Sequence, residues 1–365
     1  MMFQSLKVNK LELKNRFVVA PMTRVSATLT GCVTEEMNHY YQQYVDGYFG
    51  CIITEGLYTD TLCSQGYQYQ PGLINEAQAN SWKVLNDYAG TNHTAVIAQL
   101  MHAGALSQFN GYASETKAPS VIKPKGQQLA FYYGEGDYQM PAALSLSEIN
   151  QIVDGFVHAA CLAQQSGFSG VEIHGANGYL LDQFLCTHTN QREDEFGGSI
   201  ENRLRIHTQI INGIREKVGS DFIIGLRISQ AKVNDPEYKW SGKAEAKAIF
   251  IYLDTLDFDY LHLTEPNALG CAFESGLTLA EIAKQFVSQP IMVNGELNSK
   301  PAIDASLENG ADLISIGKMA LVNPDFPVKM LNDIPLMAFT FDIFNPIANL
   351  DTQFSVLKNK GEGYV

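Results

Sequence analysis

Long apolar runs, clustered basic residues and paired cysteines are all missing from this 365-residue chain. No stretch of about 20 apolar residues occurs, the length a helix needs to cross a bilayer. The segment Met1 to Lys7 shows no apolar core followed by a small-residue cleavage site. Both absences make a cytoplasmic protein with no membrane segment the expectation. Lys and Arg number 25 against 39 Asp and Glu, for a net charge of −14. A nucleic-acid surface needs clustered cations, so no nucleic-acid partner is expected. A local anion site built from backbone N–H groups and one or two cations stays compatible with that charge. The six cysteines (Cys32, Cys51, Cys63, Cys161, Cys186 and Cys271) include no C-x-x-C pair. They read as reduced, mostly buried thiols rather than a disulfide frame or metal site. No Pro/Gly/Ser-rich linker divides the chain, and a single domain over residues 1–365 is expected.

Short apolar runs do recur, separated by helical patterns. Strands are expected near Phe17–Ala20, Cys51–Thr54, Thr94–Gln99, Gly170–His174, Phe222–Arg227, Tyr260–Leu263, Ile291–Asn294 and Leu313–Ile316. Eight strands alternating with helices predict an α/β protein of the (β/α)8, or TIM-barrel, kind. An open doubly wound sheet is the alternative; no G-x-G-x-x-G follows the first strand to support it. Ser145 and Glu148 form a capping-box pattern ahead of a stripe at Ile149, Ile152, Val153, Phe156, Val157, Ala160 and Ala163, with Gly167 as its stop. Ser199 is expected to cap a further helix with Ile206, Ile210, Ile214 and Val218 on one face. Residues 6–13 read as a hairpin closing the barrel's amino end. Residues 105–145, rich in Gly, Pro, Tyr and Phe, read as a long insertion after the third strand. They form either a lid over the site or a decorated surface loop.

Barrel enzymes carry their chemistry at the carboxyl ends of strands. Here the ends supply Pro21-Met22-Thr23, Thr54-Glu55-Gly56, Gln99, Arg227, Asn294-Gly295 and Gly317-Lys318. Glycines after the seventh and eighth strands are where many barrels hold a phosphate on exposed backbone N–H groups. The fourth end is the densest: His174, Asn177 and Tyr179 with glycines between. His174 and Asn177 can each offer an N–H to one oxygen, and Tyr179 carries a phenolic proton. That trio suits binding a carbonyl and delivering a proton beside it.

The run His174-Gly175-Ala176-Asn177-Gly178-Tyr179-Leu180-Leu181-Asp182-Gln183-Phe184-Leu185, followed by Asn190-Gln191-Arg192 and Phe196-Gly197-Gly198-Ser199-Ile200-Glu201-Asn202-Arg203, resembles the old yellow enzyme family. Those are flavin-dependent ene-reductases with an FMN-binding (β/α)8 barrel, and matching elements run from Leu13 to Asp325. The resemblance implies FMN as cofactor and NADPH or NADH as reductant. It places Thr23 near the flavin C4 carbonyl, with backbone contact from Pro21, Met22 and Gly56. It sets Gln99 on the pyrimidine edge and Arg227 by N1 and the C2 carbonyl. Asn294, Gly295, Gly317 and Lys318 would hold ribityl and phosphate. His174 and Asn177 would grip the oxygen of an enone or nitro compound, and Tyr179 would protonate its α-carbon. Self-association is common in the family. Two positions depart from its pattern: Lys318 and Ala105 stand where members commonly carry arginine. Glu201 and Arg203 are expected to pair as structural residues. A non-catalytic flavin-binding redox sensor, or a dienoyl-CoA-reductase-like dehydrogenase, are the competing readings.

Overall fold

The computed structural model describes residues 1–359; residues 360–365, the end of the expected domain, lie outside them. The apolar runs become eight strands: β1 (Phe17–Val19), β2 (Cys51–Ile53), β3 (Ala95–Met101), β4 (Gly170–Asn177), β5 (Ile223–Lys232), β6 (Tyr260–Thr264), β7 (Ile291–Asn294) and β8 (Leu313–Ile316). Each pairs in parallel with the next, and β8 returns to β1 through Ile314 opposite Phe17 and Ile316 opposite Val19. The sheet is therefore a closed barrel rather than an open doubly wound one.

Side chains alternate across each strand. Val18, Ile53, Ile97, Ile223, Tyr260, Met292 and Leu313 meet inside the barrel as one cluster. Val171, Ile173, Leu226 and Leu261 face outward into the layer shared with the helices. The hairpin pairs Leu6–Val8 with Leu11–Leu13 and adds Val8 and Leu13 to the inner cluster, as expected of a plug at the amino end. The inward polar residues are thereby left to the carboxyl end.

Helix Leu146–Gln165 starts at the Ser145–Glu148 capping box and buries Ile149, Ile152 and Phe156, each worth about 1.5–3 kcal/mol. The chain leaves it through Gly167 at φ +87°, a left-handed position that suits glycine. The next helix differs from the expectation. Ser199 caps only Ile200–Arg203; Leu204, with ψ near zero, interrupts the axis, and the Ile206, Ile210, Ile214 and Val218 face belongs to a second helix, Arg205–Val218. Arg203 sits at the turn. Its guanidinium donates back to the Leu185 and Gly198 carbonyls and, at 2.9 Å, to Glu245. Its carboxylate partner is thus Glu245 and not Glu201.

Residues 105–145 contain a two-residue parallel pairing, Lys117–Ala118 with Ala142–Ala143, and a single turn at Ala130–Tyr132. Tyr132 Oη donates to the Thr23 carbonyl at 3.2 Å. The Ala348 N–H donates to the Phe131 carbonyl at 2.9 Å, and the Phe131 and Phe344 rings stack 5.9 Å apart. The insertion and the C-terminal segment thus meet at the carboxyl end of the barrel. Among the described residues, no helix is long and apolar enough to cross a membrane.

Candidate active site

Strand register assembles the site's base. Gln99 on β3 lies opposite Glu172 on β4, while Arg227 on β5 lies between His174 and His262. Gln99 Nε2 donates to Glu172 Oε1 at 2.8 Å; Glu172 Oε2 accepts from Tyr260 Oη at 3.1 Å and His262 Nδ1 at 2.8 Å. Burial alone would raise the Glu172 carboxyl, but His262, Arg227 and Gln99 outweigh it and hold it below its ordinary value. Burial pushes His262 down, so it donates as a neutral imidazole. With Gln99 Nε2 engaged, Gln99 Oε1 is left as an acceptor at the cavity wall.

Arg227 is the informative member. It is buried, yet its guanidinium donates no hydrogen bond to any described residue, and its Nε has no partner at all. Burial lowers its proton affinity while Glu172 opposes that shift. An unpaired buried donor costs about 1–3 kcal/mol, more when charged. The arrangement fits a group that brings acceptors and develops negative charge beside Arg227.

A cavity of about 730 Å³ opens above this base. Pro21, Met22, Thr23, Gly56, Gln99, Arg227, Asn294, Gly295, Gly317 and Lys318 line it together with His174, Asn177 and Tyr179. All thirteen residues expected from the sequence are thus brought to one space. At one end the chain is pared to backbone: Gly295 sits at φ +138°, and a Cβ there would fall 2.2 Å from the Glu265 carbonyl. Asn294 Nδ2 donates to the Ser315 carbonyl at 2.9 Å, and Thr264 Oγ1 donates to Asn294 Oδ1 at 3.1 Å, tying β6, β7 and β8 together there. Lys318 is exposed, its Nζ 5.8 Å and 5.5 Å from the Phe339 and Phe341 ring centroids. Those rings hold the ammonium beside the cavity mouth through cation–π attraction.

Across the cavity stands the donor trio. Burial first, and the charge of Arg227 second, push His174 down to about 3. It is a neutral imidazole with one N–H to give. Asn177 occupies the left-handed region at φ +62°. Its backbone is held on both sides: its N–H donates to Ser229 Oγ at 2.8 Å, and the Val233 N–H donates to its carbonyl at 3.0 Å. Its side-chain amide makes no hydrogen bond with a described residue. The Tyr179 ring lies 5.0 Å from that of His174. Burial raises the Tyr179 phenol well above its ordinary value, so it keeps its proton. The Tyr67 hydroxyl lies 2.5 Å from the Tyr179 hydroxyl.

Several residues of the site carried no role in the sequence reading. Tyr67 is one of them, the hydrogen-bond partner of Tyr179. Glu172 anchors Gln99, and its position two residues before His174 on the same strand face was the available signal. Arg24 is fully buried, 5.4 Å from the Phe344 ring, and donates to the Asn349 carbonyl at 3.2 Å. Phe339 and Phe344 close the wall that the C-terminal sequence left undefined. Their segment carries no regular apolar period, so nothing local pointed to them.

A closed parallel barrel with these donors converging on one carboxyl-end cavity is the architecture of a (β/α)8-barrel flavin oxidoreductase. Residues 1–336 match the NADH:flavin oxidoreductase / NADH oxidase family, and the chain belongs to it. Among solved structures, the old yellow enzyme homologue from Zymomonas mobilis is similar with a TM-score of 0.86 and 28% identity, covering 95% of this chain and 96% of that one. Morphinone reductase in complex with tetrahydroNAD is similar with a TM-score of 0.82 and 28% identity, covering 94% and 93%. The 12-oxophytodienoate reductase 2 of Arabidopsis thaliana is 30% identical over 347 residues, which cover 93% of this chain and 90% of the relative. The family is FMN-dependent.

Proposed function

We propose that this protein reduces the C=C bond of α,β-unsaturated carbonyl or nitro compounds at the expense of NADPH or NADH. One observation carries the reading. A neutral His174 and the free amide of Asn177 share a cavity with a protonated Tyr179 and an unpaired, buried Arg227. Gln99, Arg227 and Thr23 would hold the flavin ring, while Asn294, Gly295, Gly317 and Lys318 would hold ribityl and phosphate. When bound there, FMN would supply hydride chemistry, drawing its electrons from NADPH or NADH.

The chain's own residues supply the rest. The His174 and Asn177 N–H groups bind the substrate oxygen and draw electron density toward it, which makes the β-carbon electrophilic. Donors of this kind contribute about 10²–10³-fold each. Tyr179 passes its proton to the α-carbon, a contribution of about 10²–10⁴-fold for a positioned acid. Tyr67, donating to the Tyr179 oxygen, steadies the charge left there. Leu129, Phe131 and Tyr132 of the insertion, with Phe339 and Phe344, line the outer wall of the cavity as a roof, which would limit the water around a bound substrate. This is the lid reading of residues 105–145.

The test is a spectrum. Reconstituted with FMN under anaerobic conditions, the protein should bleach with NADPH or NADH and regain its colour on addition of 2-cyclohexenone. Failure to bind FMN overturns the reading. Bleaching without reoxidation by enones or nitro compounds favours the redox sensor.

A further inference from the structure

The turn that carries Asn177 and Tyr179 is enclosed by a ring of contacts with a buried ion pair at its centre. Regular pairing of β5 with β4 runs from Ile223 opposite Gly170 to Ile228 opposite Gly175, then slips so that Lys232 faces Asn177. The slip places three residues of β5 opposite one of β4. Ser229, the first of them, takes the Asn177 N–H. Lys232 then turns its side chain inward, its Nζ lying 2.6 Å and 2.7 Å from the two Asp182 oxygens and 4.7 Å from the Tyr238 ring centroid. Both partners are buried, with side-chain exposures of 7% and 0%. Asp182 belongs to the helix Leu180–Leu185 that starts at Tyr179, and its Oδ2 accepts the Gly178 N–H at 2.6 Å. The circuit closes on itself: Asn177 backbone to β5, Lys232 to Asp182, Asp182 to Gly178, and Gly178 to its two neighbours in sequence.

The turn needs such a restraint. Asn177 at φ +62° and Gly178 at φ +87° are consecutive left-handed residues, a conformation that costs about 1–3 kcal/mol at a non-glycine position. Gln183 adds a second hold by donating from Nε2 to the Gly178 carbonyl at 2.7 Å. Lys232 is reached from the fifth strand. A cavity of about 40 Å³ beside the pair is lined by Ala105, Asp182 and Lys232. Ala105 is the position where members of the family commonly carry arginine. The cation facing Asp182 comes from β5.

We propose that Lys232 and Asp182 are a positioning pair for the reaction: by holding the Gly178 N–H they fix the turn into Tyr179 so that its hydroxyl is aimed to deliver a proton to carbon. The proposal rests on the ene-reductase reading of the same site. Neither residue lines the large cavity or touches the reacting atoms, so their effect reaches the chemistry only through the turn.

The distinguishing experiment compares two acceptors on the FMN-loaded full-length protein. An enone must receive a proton on carbon, whereas a quinone such as menadione takes its protons on oxygen from water. In Lys232→Met, the ratio of 2-cyclohexenone to menadione turnover should fall about tenfold to a hundredfold, the scale of a displacement near 1 Å. Lys232→Arg should restore most of the ratio, since the adjoining cavity gives the larger head room. If Lys232→Met does not fold with FMN, the double variant Asp182→Asn/Lys232→Met, which leaves no charge buried alone, is measured in its place with the same expectation. A ratio within twofold of wild type, or an equal loss with both acceptors, overturns the proposal. Hydrogen exchange of the amides at residues 175–182 supplies a readout independent of turnover. It should quicken in Lys232→Met and recover in Lys232→Arg. If wild type reduces no enone, the functional reading fails, and exchange alone then judges the clamp: unchanged exchange refutes it.

Discussion

At the scale of single residues, burial sets the chemistry. His174 is pushed down to about 3 from 6.5, so the neutral ring is the form present at working pH. Its contribution to stability is complete above pH 6.5 and is lost as pH falls toward 3, the sign expected when the folded value lies below the unfolded one. Enone turnover measured from about pH 5 to about pH 8 should therefore show no step from this histidine, although an ordinary one titrates in that window. An inflection that disappears in His174→Asn would contradict the assignment. The role proposed for Arg227 is electrostatic. Its unpaired guanidinium lies beside Glu172 and His174, and its loss in Arg227→Met should lower the two-electron potential of bound FMN. A charged hydrogen bond of about 1.5–3 kcal/mol corresponds to about 30–60 mV. Potentiometric titration with a reference dye reads the shift, and an unchanged potential removes Arg227 from the flavin. Tyr67→Phe takes away one partner of the Tyr179 hydroxyl. Reoxidation by enone should slow about threefold to tenfold, as suits the net worth of one hydrogen bond, while reduction by the nicotinamide keeps its rate. Rapid mixing separates the two half-reactions.

At the scale of elements, alternation along strands does most of the placing. Helix Leu146–Gln165 presents Phe156 to the layer outside the barrel, where it is completely buried. Phe156→Ala should cost about 3–5 kcal/mol, read as a lower urea midpoint with the cavity residues left unchanged. This level was also the most legible in the sequence. All eight barrel strands, the hairpin and the Ser145–Glu148 cap follow from local apolar period and capping chemistry. The polar residues at strand ends were visible for the same reason, since a buried strand that ends in His174, Gln99 or Arg227 announces itself. What was not legible depends on partners distant in sequence. Arg203 looked to Glu201 nearby but finds Glu245, at the point where the chain divides into two helices. Arg24 is fixed by carbonyls more than 300 residues away, and Lys232 meets Asp182 only because β5 slips in register. The Phe339 and Phe344 wall is defined by the tertiary fold alone.

At the scale of the whole molecule, the closed barrel, the amino-end plug and the roof leave a large opening at the carboxyl end, and the protein's stability is linked to groups around it. Glu55 sits beneath that opening, accepting the Arg24 N–H at 3.1 Å and the Tyr41 hydroxyl at 3.3 Å. Burial raises it to about 7 from 4.5. The folded protein thus retains a proton that the unfolded chain releases. Its contribution is complete below pH 4.5 and is lost as pH rises through about 7. The stability advantage of wild type over Glu55→Gln should shrink between about pH 5 and about pH 8, measured by urea denaturation at both. An advantage that grows with pH would mean that the carboxylate, not the acid, is the buried form. The central claim is the division of labour across the cavity, with His174 and Asn177 gripping oxygen and Tyr179 giving the proton. Its most direct test is the anaerobic rate at which 2-cyclohexenone reoxidises the NADPH-reduced holoenzyme. Tyr179→Phe should slow that rate about 10²–10⁴-fold, and His174→Ala/Asn177→Ala by more. Rates in either variant equal to wild type would contradict the account.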